Sequence, residues 1–360
     1  MNQGVALAFG GSLDPAAWSR AHATGAVPDQ LPYGLHRLSG HGLTVRDHSV
    51  AWSAGAPVAL HRRVLRKVGS GFDWGLMLSR RPHADVLLSW DERPGAVLAL
   101  RHGRRIPVVT NVIWLTDLPS LKAPGLRLAA AGLRRAAGLF VLSSAQVPLL
   151  TEIAGVARDR ITAVPFGIDA DFYAPAHVAG SSPDPDLVVS VGNDRHRDWP
   201  GTLEAFELVR RNRPSARLVV VSATAPSPDL ASAEGVEHIG DLDHVAVRAL
   251  LARASVLLVM TSPNVHVSGI TAALEAMALE RPVVISQSPG LHDYGAADDG
   301  FIAVDDPRAA AEAVTDLLGD PAAARARGIA GRRAVVEHFS TEHQAARLAT
   351  VLERALDRHQ

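Results

Sequence analysis

Short, wholly apolar runs alternate with longer amphipathic stretches along nearly the entire chain. Apolar runs of four to six residues bounded by turn residues are strands buried on both faces, and amphipathic stretches between them are the helices that cover those faces. The pattern therefore predicts α/β structure built on parallel sheets. In the first half it predicts strands near Val5–Phe9, Val86–Ser89, Pro107–Trp114, Leu139–Leu142 and Ile161–Pro165. The second half repeats the unit, with strands near Leu187–Val191, Leu218–Ser222, Val236–Ile239, Val256–Met260 and Val283–Ser286 and helices near Pro200–Asn212, His244–Arg253, Thr271–Leu279 and Pro307–Leu318. At 360 residues the chain exceeds what one core comfortably fills, so two lobes are expected. The Pro-, Gly-, Ser- and Asp-rich stretch Ala174–Asp186 divides them, giving an N-terminal domain over 1–176 and a C-terminal domain over 177–340. Residues 341–360 form a last helix, with Leu348, Leu352 and Leu356 four apart, expected to pack on either lobe.

Composition removes several classes of function. With 47% hydrophobic and 20% charged residues the chain is globular rather than disordered. With no cysteine it has no disulfide, thiolate metal site or thiol nucleophile. No apolar run reaches the ~18–20 residues of a membrane span, and Met1-Asn2-Gln3-Gly4 lacks a basic leader, so a cytoplasmic location with at most peripheral membrane contact is expected. Residues 1–176 carry 19 basic and 12 acidic side chains, whereas residues 177–360 carry 17 and 25, a basic lobe and an acidic one. Nothing points to nucleic acid. There is no G-x-S-x-G, Walker loop or H-E-x-x-H.

The densest chemistry lies in His266–Tyr294. An apolar strand leads through Ser262-Pro263-Asn264 to Ser268-Gly269-Ile270-Thr271, where a helix starts. Gly269 lets a ligand approach the backbone, and the amides of Gly269, Ile270 and Thr271 at the positive end of the helix dipole form a site for a diphosphate. Glu275, one turn further, has the geometry to accept hydrogen bonds from vicinal hydroxyls such as those of ribose. Read alone, the segment is better explained by Ser268 capping the helix and Glu275 sitting on a solvated face.

The segment resembles the signature of retaining GT-B glycosyltransferases, in particular the family-4 group, through Leu274-Glu275-Ala276-Met277-Ala278 and Arg281-Pro282-Val283-Val284. Two further blocks are similar to that family in the same order: Arg160–Asp169 with Phe172 and Pro175, and Ser190–Trp199. The resemblance implies two Rossmann-like, doubly wound domains facing across a cleft, with a nucleotide-diphosphate sugar such as a UDP- or GDP-sugar as co-substrate and no bound prosthetic group. It implies that Glu275 binds the nucleotide ribose and that Arg197, or less favourably Arg195, stands for the family's phosphate-binding lysine. Asn193 takes the place of its arginine. The family's sugar-contacting glutamate is replaced by Val267, leaving His266 or Ser268 as substitutes.

In the first lobe Gly10-Gly11-Ser12 follows the first strand, and the resemblance maps this turn to the loop that approaches the transferred sugar and phosphate. Trp90-Asp91 and Asp117 follow later strands and are acceptor candidates, Trp90 as a stacking wall and Asp117 either as an orienting carboxylate or as a turn cap. Three D-x-D pairs, Asp169/Asp171, Asp184/Asp186 and Asp241/Asp243, lack the strand context of a metal site, and basic His61–Lys67 reads as a solvated helix face. The expected reaction is metal-independent, retaining transfer of a sugar to a small-molecule, lipid-linked or saccharide hydroxyl, with Arg197 and Asp117 as its catalytic candidates. A catalytically silent nucleotide-sugar-binding or partner-activating subunit and a nucleotide-sugar epimerase of the same fold are the alternatives.

Overall fold

The computed structural model describes residues 3–10, 13–47, 71–118, 123–178, 182–224, 232–297 and 299–359. They divide into two compact units, one comprising Met1–Arg20, Gln30–Pro165 and Gln344–Gln360, the other Ala21–Asp29 and Phe166–His343. The division falls at Pro165, so the turn-rich stretch 174–186 lies inside the second unit.

In the first unit, strands β1 (Gln3–Ala8), β2 (Leu43–Asp47), β3 (Val86–Ser89), β4 (Val108–Asn111), β5 (Gly138–Val141) and β6 (Ile161–Ala163) form one sheet ordered β2-β1-β3-β4-β5-β6. Every pairing is parallel. The first helices are α1 (Pro15–Ala23), α2 (Glu92–His102), α3 (Pro124–Arg135) and α4 (Gln146–Ala154). Leu87, Val108, Leu139 and Leu133 meet in the core, each fully enclosed, and burying side chains of this size stabilises by roughly 1.5–3 kcal/mol apiece. In the second unit β7 (Leu187–Val191), β8 (Arg217–Val221), β9 (Val236–Ile239), β10 (Val256–Val259), β11 (Val283–Ser286) and β12 (Phe301–Val304) form a parallel sheet ordered β12-β11-β10-β7-β8-β9. Helices α5 (Trp199–Asn212), α6 (His244–Arg253), α7 (Ile270–Ala278), α8 (Pro307–Gly319) and α9 (Pro321–His338) accompany it, and α10 (Thr341–Asp357) follows. No helix among the described residues is long and apolar enough to cross a membrane.

Strand order decides where ligands sit. In an open parallel sheet the crevice opens beyond the carboxyl ends of the strands where the winding reverses. In the first unit that point lies between β1 and β3, beside Gly10 and Trp90-Asp91. In the second it lies between β7 and β10, beside Gly192–Arg197 and the loop leading to Gly269.

The expected strand over Pro107–Trp114 is shorter than its apolar run. Val112 N–H still donates to Phe140 O at 2.9 Å, but the amides of Ile113 and Trp114 donate to the Glu92 carboxylate, so the chain leaves the ladder after Asn111. Strands β2 and β12 and helix α9 were not singled out from the pattern. The buried residues of α9 are Ala324, Gly328, Gly331, Ala334 and Val335, mostly too small to register as an apolar stripe.

Candidate functional site

Helix α7 differs from its neighbours at its start. Aspartates cap α2, α5, α6, α8 and α9, each accepting a backbone N–H from the first turn. Helix α7 instead begins at Gly269, with φ +84° and no side-chain cap. A Cβ on Gly269 would stand 2.4 Å from Val259 Cγ1 and 2.8 Å from Arg197 Nη1. Glycine is thus required twice, by conformation and by the close approach of Arg197. Replacing Gly269 with alanine is expected to cost about 1–2 kcal/mol for the left-handed backbone and about 1–3 kcal/mol for overpacking, read as a lower urea midpoint of the second unit.

Arg197 is buried, 6% exposed. Its Nη2 donates to Ser190 Oγ at 2.7 Å, and Ser190 Oγ donates onward to Leu258 O at 2.7 Å. The guanidinium lies 5.2 Å from the Trp199 ring centroid, and the Arg197 backbone bridges Thr261, which fixes the loop after β7 to the loop after β10. Among the described residues nothing accepts from its Nε or Nη1, and the Oγ of neighbouring Ser268 is likewise buried without a partner. Burial pulls the Arg197 pKa down to about 10, partly countered by Asp194. A buried guanidinium with two unsatisfied donors beside an uncapped helix start is an anion site by construction.

Other residues of the expected site fall into distinct roles. Ser268 N–H donates to Asn264 Oδ1 at 2.9 Å, and Ile270 N–H to Val267 O at 3.1 Å, so of the expected amide trio Ile270 is committed internally. His266 is buried, with Nε2 3.0 Å from Asp194 Oδ2 and its ring edge-on to His196 at 5.2 Å. Val267, in the place of the family glutamate, has φ +57° and is 2% exposed. A β-branched residue in that region is a strained outlier. Arg195 is exposed and donates from Nε to His196 Nε2 at 3.2 Å, while Asn193 Oδ1 accepts from Ala223 N–H at 2.6 Å. Asn193 therefore holds the loop after β8, and the guanidinium at the helix start is that of Arg197. Glu275 is half-buried on α7; burial pushes its pKa up to about 7, against the Tyr173 hydroxyl, which donates to Oε1 at 2.8 Å.

In the first unit the space that a Gly10 side chain would take is filled by Asp91, whose Oδ2 is 2.5 Å from that position. Asp91 Oδ1 accepts from Arg93 N–H at 2.7 Å, and burial, then the adjacent Glu92, raises the carboxyl to about 7. A carboxyl poised there can exchange a proton with a hydroxyl near neutrality. Trp90 is a correction. It is 4% exposed, with one face covered by Tyr33 stacked at 4.1 Å and Phe140 tilted against it at 5.6 Å, so it is enclosed and offers no open wall to an acceptor. Asp117 ends the short 3-10 turn Leu115–Asp117 and is half-buried. Gly11, Ser12 and the basic run 61–67 lie outside the described residues. Glu92, which sequence reading passed over, accepts from Ile113 N–H (3.0 Å), Trp114 N–H (2.9 Å) and Leu115 N–H (3.0 Å), and so shapes the loop that carries Asp117. The D-x-D aspartates have local work: Asp169 accepts from Asp29, Asp171 and Phe172 amides, Asp243 caps α6, and Asp184 and Asp186 pair with Arg217 and Arg213.

Residues 185–320 match the model of the family described as glycosyl transferases group 1. The chain carries a group 1 glycosyltransferase domain and is an enzyme of the transferase class. Over 335 residues it is 25% identical to a glycogen synthase of Mycobacterium tuberculosis, covering 86% of this chain and 77% of that relative. It is 30% identical over 212 residues to a GDP-mannose-dependent alpha-(1-6)-phosphatidylinositol dimannoside mannosyltransferase of the same species, covering 54% of each. Among solved structures it is similar to Anabaena HepE in complex with UDP and glucose (15% identity, 98% of this chain and 100% of that one, TM-score 0.64). It is also similar to sucrose-phosphate synthase of Thermosynechococcus elongatus (20% identity, 98% of each chain, TM-score 0.67). These likenesses bear out the expected GT-B fold of two Rossmann-like sheets, and the group 1 domain coincides with the unit that holds Arg197, Gly269 and Glu275.

Proposed function

We propose that this glycosyltransferase moves a sugar from a nucleotide-diphosphate donor, a UDP- or GDP-sugar, to an acceptor hydroxyl with retention of configuration and without a metal ion. The observation that carries the reading is the buried Arg197 guanidinium, with Nε and Nη1 unpartnered, set against the Gly269 start of α7. A diphosphate supplies the missing acceptors. As the bond to the sugar breaks, negative charge grows on the leaving phosphate, and fixed donors aimed at that charge lower the barrier without reorganising. Arg197 keeps its proton even with a pKa of about 10, so this stabilisation persists across neutral pH. Glu275 accepts the ribose hydroxyls. His266, held by Asp194, faces the sugar in place of the side chain that Val267 lacks. Asp91 and Asp117 are assigned to the acceptor, Asp91 because its carboxyl is raised to about 7. Retention follows the family resemblance, in which the departing phosphate takes the proton of the incoming hydroxyl, so no enzymic nucleophile is called for.

Thermal unfolding with UDP, GDP, ADP and dTDP tests the donor half. A nucleotide that binds only the folded chain adds about 2.7 kcal/mol at a hundredfold excess over Kd, so the matching base raises the melting temperature by several degrees. No shift with any of the four contradicts the reading.

A further inference from the structure

Glu275 is not held by its own helix. Tyr173, 1% exposed, reaches it from a different segment: its hydroxyl donates to Glu275 Oε1 at 2.8 Å and lies 3.4 Å from His244 Nδ1 on α6. The phenol has one proton. With that proton committed to the carboxylate, Tyr173 Oη can only accept from His244, which requires the Nδ1–H tautomer. Burial, partly countered by Asp243, lowers the His244 pKa and so favours the neutral ring, and burial together with the Glu275 charge holds Tyr173 well above its ordinary value, so it remains a donor.

We propose, resting on the assignment of Glu275 to the ribose, that Tyr173 is a positioning residue of the nucleotide site: its hydroxyl fixes Oε1, orients the carboxylate that receives the ribose hydroxyls and favours its charged form. The neighbouring charges do not duplicate this role. Arg248 on α6 lies 4.2 Å from the Phe172 ring centroid and donates to Phe172 O at 2.9 Å, Arg332 on α9 donates to Ala278 O at 2.5 Å, and Asp169 Oδ1 and Asp243 Oδ1 accept backbone amides. Strands β10 and β11, which pack on α7, bring only apolar residues and Ser286. Sequence reading had no access to the pair, since Tyr173 and Glu275 lie 102 residues apart.

The test is calorimetric titration with UDP and with GDP from pH 5.5 to 9, on the full chain and on Tyr173→Phe and Glu275→Gln. In the parent, a carboxylate required for binding makes affinity fall up to tenfold per unit as pH drops below about 7. Tyr173→Phe removes a hydrogen bond that lowers the Glu275 pKa, so the midpoint moves upward. Affinity below neutrality is expected to weaken about three- to tenfold and to recover at high pH. Incorporating 3-fluorotyrosine, a stronger donor, tests the same bond on the unmutated chain and is expected to move the midpoint down. An unmoved midpoint in either experiment, with Glu275→Gln weak and flat with pH, overturns the role of Tyr173 alone. Glu275→Gln binding like the parent overturns the ribose assignment as well.

Discussion

Arg197→Ala is expected to lower kcat/KM by at least two to three orders of magnitude while leaving the unliganded protein as stable as the parent or more so. The loss follows from removing a preorganised donor to the leaving phosphate, an effect of roughly 10²–10³ in comparable oxyanion sites. The stability follows from the same geometry. In the absence of ligand, two donors of a buried guanidinium go unmet, a desolvation cost that alanine does not carry. Arg197→Lys keeps a charge but not the fork. The three donors of an ammonium radiate from one nitrogen, which cannot lie within reach of both Ser190 Oγ and the Gly269 turn as the separate guanidinium nitrogens do, so its kcat/KM is expected between the two, at least tenfold below the parent. Steady-state kinetics with the stabilising nucleotide's sugar, paired with thermal unfolding with and without nucleotide, separates the two effects. A full nucleotide-induced shift in Arg197→Ala removes Arg197 from the phosphate site.

What the sequence disclosed and what it withheld follow from the range of the interactions. The sheets were legible because strands such as Val86–Ser89 and Val256–Val259 are enclosed on both faces and therefore uniformly apolar. The start of α7 was legible because a glycine between a strand and a helix has a local meaning. Helix α9 was not, since its packing on α7 depends on having no side chains: a Cβ on Gly328 would lie 2.0 Å from Glu280 O, and one on Gly331 would lie 2.9 Å from Met277 Cγ. Hydrophobic periodicity cannot register a contact made by absence. Trp90 misled for the opposite reason, as an indole after a strand carries the same letters whether it meets a sugar or, as here, Tyr33 and Phe140. Tyr173, Asp194 and His244 acquire their roles only through partners 71 to 102 residues away, which no local pattern encodes.

Glu92→Ala is expected to destabilise the first unit by several kcal/mol and to depress turnover beyond what the stability loss explains. The carboxylate is 3% exposed and accepts from three consecutive amides, those of Ile113, Trp114 and Leu115. Leaving a buried amide unsatisfied costs about 1–3 kcal/mol each, and more where the lost acceptor was charged, so three together outweigh any gain from removing a buried charge. Glu92→Gln retains one carbonyl oxygen and should fall between. Its second consequence is electrostatic. Glu92 is one of the groups that raises Asp91, so neutralising it moves the Asp91 carboxyl below its present value of about 7. Any limb of the rate profile that reports Asp91 is then expected to move to lower pH in Glu92→Gln, while the loop carrying Asp117, freed from the Ile113 anchor on Oε2 and held only by the two amides on Oε1, raises KM for the acceptor. Scanning calorimetry of the two variants and a pH–rate profile of the glutamine form measure both effects. An unchanged melting temperature in Glu92→Ala contradicts the anchoring role, and an unmoved profile in Glu92→Gln detaches Asp91 from the reaction.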